Sequence, residues 1–405
     1  MKPTVLTFFV SSFFAFVGGH MINYSLIMYA QDVFGSDLLS GIAFGLCFGP
    51  PIILGWIAGV YSDRMPPGRI TAVSQLVFSV AALLVIALEA TTFLVPVRVG
   101  LFLGAAFLVG IGWSFIAPSR LAALAQIVGL GQLHRATIVF NLLIMIGFGL
   151  APILIALARS SWGWVGVFWV ITILFLSATL LLQMIQTKAS TNGRATVLSQ
   201  VKEGLQSAAA IPLVWQLLVC TALVYMVLGP MQVLLPRFAS SVLLLDEVSR
   251  GFFLGILAVS LIIGGVLCMV VGARQHLGAS ILAGVVTGAV AVFSISVANT
   301  YLWAALSLAA AGMSGGYAVS LVVAGLQHSA PAPMRGRIMS IYTITSQVIP
   351  ALTGLVAGGL SQWYGPALSL QLAAIAITSL GVLAAARLGA VRRYRTLDVY
   401  AVEAG

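Results

Sequence analysis

Charge is what this sequence has least of. Only 7% of its 405 residues are Asp, Glu, Lys or Arg, against about 25% in a soluble domain, which excludes water as its main solvent. Acids are scarcer than bases, nine against nineteen, and none of the nine lies near the centre of an apolar run. Asp32, Asp37, Glu89, Asp246 and Glu247 fall at one set of run ends, Asp63 and Glu203 at the other, and Asp398 and Glu403 near the C-terminus. A buried carboxylate that exchanges protons for cations is therefore not expected. Cysteine is equally thin. Cys47, Cys220 and Cys268 each lie inside an apolar run, with no CxxC or Cys/His spacing, so no metal site is expected. Neither an HExxH motif nor a Ser/His/Asp cluster is visible, which argues against an enzyme, and nothing calls for a cofactor. The net charge of +10 does not point to nucleic acid, because the basic residues stand singly between apolar runs instead of gathering on an aqueous face.

What is abundant is apolar surface, at 61% of residues. At about 20 residues per bilayer crossing, the punctuation by Gly, Pro and polar residues yields twelve spans, near 5–30, 38–61, 69–90, 98–124, 135–158, 163–186, 212–237, 246–271, 277–298, 300–327, 337–361 and 365–388. Runs this long are helices, since a barrel would show alternating segments of about ten residues. The first run is too long for a signal-peptide core and is expected to remain as the first span. Counting loops alternately, fifteen of the nineteen Lys and Arg residues fall on one side. Arg98, Arg159, Arg237 and Arg250 fall on the other, so the positive-inside rule places both termini in the cytoplasm.

The polar break at 187–211 divides the chain in half. Val197, Leu198, Val201 and Leu205 share one helical face there, which predicts a short helix on the inner membrane surface. The expected organisation is an N-terminal bundle over 1–186, this linker, a C-terminal bundle over 212–388 and a tail over 389–405 whose Arg392, Arg393 and Arg395 contact anionic headgroups. The halves also rhyme. Gly55 precedes Arg64 as Gly265 precedes Arg274, and His134-Arg135 opens span five as Arg335-Gly336-Arg337 opens span eleven, with Pro152 and Pro350 further along.

The loop from Gly59 through Asp63, Arg64 and Arg69 resembles the cytoplasmic Gly-x-x-x-Asp-Arg-x-Gly-Arg motif of the major facilitator superfamily, with two extra residues before the second glycine. Val201 to Leu205, and the run from Pro333 through Arg335 and Arg337 to Tyr342, look like the branch that holds the enterobactin exporter and macrolide efflux pumps. Gly147, Gly149 and Pro152 look like a degraded antiporter motif of helix five, with Pro350 and Gly354 as the counterpart in span eleven. The resemblance implies an all-α membrane fold of twelve helices in two pseudo-symmetric six-helix bundles. It also implies a monomer in the bacterial inner membrane and a small-molecule substrate moved by alternating access. Asp63, Arg64, Arg69, Arg274, Arg335 and Arg337 would then latch the cytoplasmic face, and the glycines and prolines would let helices pack and bend.

The same resemblance puts spans one, four, seven and ten around a central cavity. Their polar and aromatic residues are His20, Asn23 and Tyr24; Trp113 and Ser114; Tyr225 and Gln232; and Ser314, Tyr317 and Ser320. Each has a bland reading as an interhelical hydrogen-bonding group. His20 is the one side chain well inside a span that titrates near neutral pH, so coupling to protons would use His20 or an end-of-span acid, Asp32 or Glu89. Efflux of an amphipathic, siderophore- or drug-like compound is the leading expectation. Nutrient uptake, a lysolipid flippase and a non-transporting assembly partner are the alternatives.

Overall fold

A computed structural model describes residues 3–51, 54, 65–189, 206, 208–271, 276–331 and 334–395. The helices are α1 (Pro3–Asp32), α2 (Asp37–Phe48), α3 (Pro67–Glu89), α4 (Val95–Val128), α5 (Leu133–Gln183), α6 (Pro212–Met226), α7 (Leu228–Ser241), α8 (Glu247–Val271), α9 (Leu277–Ser296), α10 (Tyr301–Ser329), α11 (Arg335–Arg387) and α12 (Gly389–Arg393). No strand occurs among the described residues. Helix starts follow local chemistry. Ser36 caps α2 by accepting from the Leu39 N–H at 3.1 Å, Thr300 caps α10, and Asp246 accepts from the Val248 and Ser249 N–H groups at 3.0 Å each ahead of α8. Such caps satisfy donors that the helix itself leaves open.

Nine described helical stretches, with α6 and α7 taken together as one over Pro212–Ser241, are long and apolar enough to cross a membrane. Two of them are double crossings. α5 turns back at Gly163 (φ 65°) and α11 at Gly365 (φ 76°), a left-handed backbone that glycine adopts without a Cβ penalty. These turns fall at the breaks read from the sequence between spans five and six and between spans eleven and twelve. α2, at twelve residues, is the described part of span two. The expected linker helix at 197–205 lies outside the described residues.

The chain forms two compact units, Met1–Val197 with Leu245–Gly255, and Leu198–Leu244 with Ile256–Gly405. The first turns of α8 thus belong to the first unit, a grouping that chain order does not announce. In the first unit α1 lies along α5, and α3 packs on α4 and α5. Close approach depends on glycine: a Cβ on Gly147 would sit 2.9 Å from the Phe16 backbone, and one on Gly251 would sit 2.6 Å from Ala156. In the second unit Gly229 at the start of α7 meets the Pro350 carbonyl and Gly354 of α11, with an added Cβ only 2.3 Å from that oxygen. The first and fifth helices of each half are therefore paired in the same manner, through Gly147 in one and Gly229, Pro350 and Gly354 in the other.

The expected tail begins inside the second unit. Val391 and Tyr394 are buried, the Val391 N–H donates to Gln216 Oε1 at 3.0 Å, and the Gly278 N–H donates to the Tyr394 carbonyl at 3.3 Å. Arg392 and Arg393 remain exposed.

Overpacking a filled interface costs about 1–3 kcal/mol. Gly147→Val and Gly229→Val should each destabilise the purified protein by that amount in thermal unfolding. Gly100→Val, where an added Cβ meets nothing within 4 Å, should stay close to the wild-type midpoint.

Candidate functional site

The sequence-predicted residues of span one come together with span four in the first unit. His20, Asn23 and Tyr24 follow i, i+3, i+4 spacing, which places them on one face of α1. Trp113 of α4 donates its indole N–H to Asn23 Oδ1 at 3.2 Å. Phe148 of α5 closes the group, with its ring centroid 5.2 Å from His20 and 5.7 Å from Tyr24. Gly19 makes room for the indole, since a Cβ there would lie 2.9 Å from it. Asn23 and Tyr24 are each only 2% exposed. His20 Nε2 and Asn23 Nδ2 are buried without a hydrogen-bond partner. Two unmet polar atoms thus lie among the aromatic faces of this socket, an arrangement that leaves polar groups without hydrogen-bond partners. Phe148 went unread in the sequence, although its place between Gly147 and Gly149 was the available signal. Ser114 is not part of this socket in the same sense, because its hydroxyl is spent on the Gly110 carbonyl of its own helix at 2.9 Å.

The candidates of the second unit divide. Tyr225 of α6 shares a 2.9 Å hydroxyl–hydroxyl bond with Tyr342 of α11, and Gln232 of α7 is buried. Ser314 and Tyr317 instead line a groove of about 490 Å³ with Leu267, Ser280 and Thr287, where Thr287 donates to Ser314 Oγ at 3.3 Å. Tyr225 and Gln232 do not line it. Ser320 bonds the Gly316 carbonyl of its own helix at 2.8 Å. Helical phase directs Ser314 and Tyr317 towards α8 and α9. Among the described residues no group of His, Cys, Asp or Glu could hold a metal ion.

The family model described as Major Facilitator Superfamily matches residues 8–354. The chain belongs to the major facilitator superfamily. It is a multi-pass membrane transporter of that type. No curated protein sequence matches it. Among solved structures, a bacterial homologue of the human lysosomal transporter Spinster is similar at a TM-score of 0.77 and 15% identity, covering 98% of this chain and 99% of that one. The nucleoside transporter NupG has a TM-score of 0.77 at 12% identity, covering 96% and 100%. The peptide transporter POT has a TM-score of 0.75 at 13% identity, covering 96% and 95%. At these identities the likeness is one of fold.

Of the residues expected to latch the cytoplasmic face, together with the Gly59 of their motif, Gly59, Asp63, Arg64 and Arg274 lie outside the described residues. Arg69 and Arg335 are exposed in the first turns of α3 and α11, and Arg337 is half-buried. The acids considered for coupling are both engaged. Glu89 accepts from the Tyr29 hydroxyl, and Tyr29 is enclosed by Phe34, Phe102, Trp164 and Phe168. Asp32 is paired with Arg159 and, at 3.2 Å, with Arg250. Arg159 also reaches Glu247 at 3.0 Å and stacks 4.4 Å from the Trp164 ring centroid. The four charges of this network come from three separate stretches of sequence. Arg120, counted with the inner-face basic residues, is wholly buried in α4.

Removing Asp32 leaves Arg250 facing no carboxylate, which costs about 1–3 kcal/mol. Asp32→Ala should lower thermal stability by that amount, and Asp32→Ala with Arg250→Met should lose less than the sum of the two single changes. Strict additivity in this double-mutant cycle would show that the pair carries no coupling.

Proposed function

We propose that the protein exports a small amphipathic molecule, siderophore- or drug-like, across a bacterial inner membrane by alternating access, with both termini cytoplasmic. The observation that carries this reading is the socket at His20, Asn23, Trp113 and Phe148. Unpartnered polar atoms at membrane depth are costly, and a ligand with a polar edge supplies their partners while its body lies against the rings. No carboxylate lines the socket among the described residues, which suits neutral or anionic substrates over cations. The export direction rests on the segments that resemble the siderophore and macrolide exporters. A proton coupled to transport would ride on His20, since Asp32 and Glu89 already have partners.

The test compares medium and cell extract of a deletion strain and its parent by untargeted mass spectrometry, under iron-replete and iron-poor growth. A metabolite lost from the mutant's medium and accumulated in its cells is the expected result. Complementation with His20→Ala, Asn23→Ala should restore export at roughly 30-fold lower efficiency, the equivalent of two hydrogen bonds of about 1 kcal/mol each. A compound left unconsumed in the mutant's medium would reverse the direction and make the protein an importer. In vesicles, His20→Gln should abolish the response of transport to an imposed pH gradient. An undiminished response would remove His20 from coupling.

A further inference from the structure

Arg120 lies two turns along α4 from Trp113, a rise of about 10 Å on the same helix face. Its side chain is wholly buried at 0% exposure. Nη1 donates to Ser12 Oγ at 2.5 Å, and Nη2 donates to the Ser11 carbonyl at 3.5 Å. The guanidinium lies 5.5 Å from the centroid of the Phe16 ring. Nε has no partner. Among the described residues no carboxylate pairs with it. A guanidinium carries five N–H donors, so two neutral acceptors and a ring face leave it short of both bonds and counter-charge. An uncompensated cation at membrane depth is expensive. Joining α1 to α4 needs no charge, since the NH2 group of a neutral glutamine has two hydrogens to donate. The stripe Ser12, Phe16, Asn23 on α1 runs from this arginine to the socket, so both lie along one α1–α4 seam.

We infer that Arg120 anchors an anionic group, a carboxylate, sulfonate or phosphate, on the amphipathic molecule whose body occupies the socket at Trp113 and Phe148. The inference rests on the proposed socket and narrows its substrates to anions. A planar guanidinium binds such groups through paired N–H donors. Because Arg120 is fully buried, an anion reaches it only when α1 parts from α4, so binding is tied to movement along that seam.

The test uses a matched pair of probes, 2-naphthalenesulfonate and the uncharged 2-naphthalenesulfonamide, titrated calorimetrically into the full-length protein in lipid nanodiscs, with empty nanodiscs as blank. The wild type should bind the sulfonate at least tenfold more tightly than the sulfonamide. Arg120→Gln should erase that preference and leave sulfonamide affinity unchanged. Arg120→Lys should keep part of it, because the charge survives but the paired geometry does not. Arg387→Gln, at an exposed position, should behave as wild type. Equal affinity of the wild type for both probes would overturn the inference, as would an undiminished sulfonate preference in Arg120→Gln. Loss of both probes together would assign Arg120 to packing and overturn it too. If the Gln variant does not fold, the Lys variant decides, and a full wild-type preference there counts against the anchor. The deletion-strain metabolite judges export separately, so an exporter without an anion preference would keep its function and lose this site.

Discussion

Lipid offers no hydrogen bonds, and that single constraint organises the molecule. Every backbone N–H and C=O in a crossing must be satisfied within its own helix, so the helices arrive as finished cylinders and the fold is decided by where their backbones can approach. Glycine sets those places. Gly147 admits the Phe16 backbone, Gly229 admits Pro350, and Gly264 and Gly316 bring α8 against α10, where an added Cβ would lie 2.1 Å from a carbonyl oxygen in both cases. Gly163 and Gly365 do the opposite service, taking a positive φ where two helices must reverse.

The same absence of water sorts the charged residues. Arg159 and Arg250 sit near helix ends with Asp32 and Glu247 and form a compensated network. Glu89 finds a phenol. Against that background Arg120 stands apart, as a cation held by a hydroxyl, a carbonyl and a ring. The socket two turns away has the same character in milder form, with the amide of Asn23 and the imidazole of His20 each left one partner short. Substrate recognition in a membrane interior depends on such incomplete groups, because a fully satisfied interior has nothing to offer a ligand.

Amino-acid order by itself determined the crossings, their breaks at Gly163 and Gly365, and the face that carries His20, Asn23 and Tyr24, because hydropathy and the 3.6-residue period are local quantities. Pro152 and Pro350 likewise marked related places in the two halves before any contact was known. Partners were decided only by the tertiary structure. Nothing near Arg120 in the chain announces Ser12, just as nothing near Asp32 announces Arg159 and Arg250. Phase within a helix shows which residues share a face, yet not which neighbour that face meets, and so Ser314 and Tyr317 were legible as a pair while their groove with Ser280 and Thr287 was not. The start of the tail, read as a basic surface segment, docks through Val391 and Gln216 for the same reason. Hydropathy measures a preference for leaving water, and only three-dimensional packing says against what.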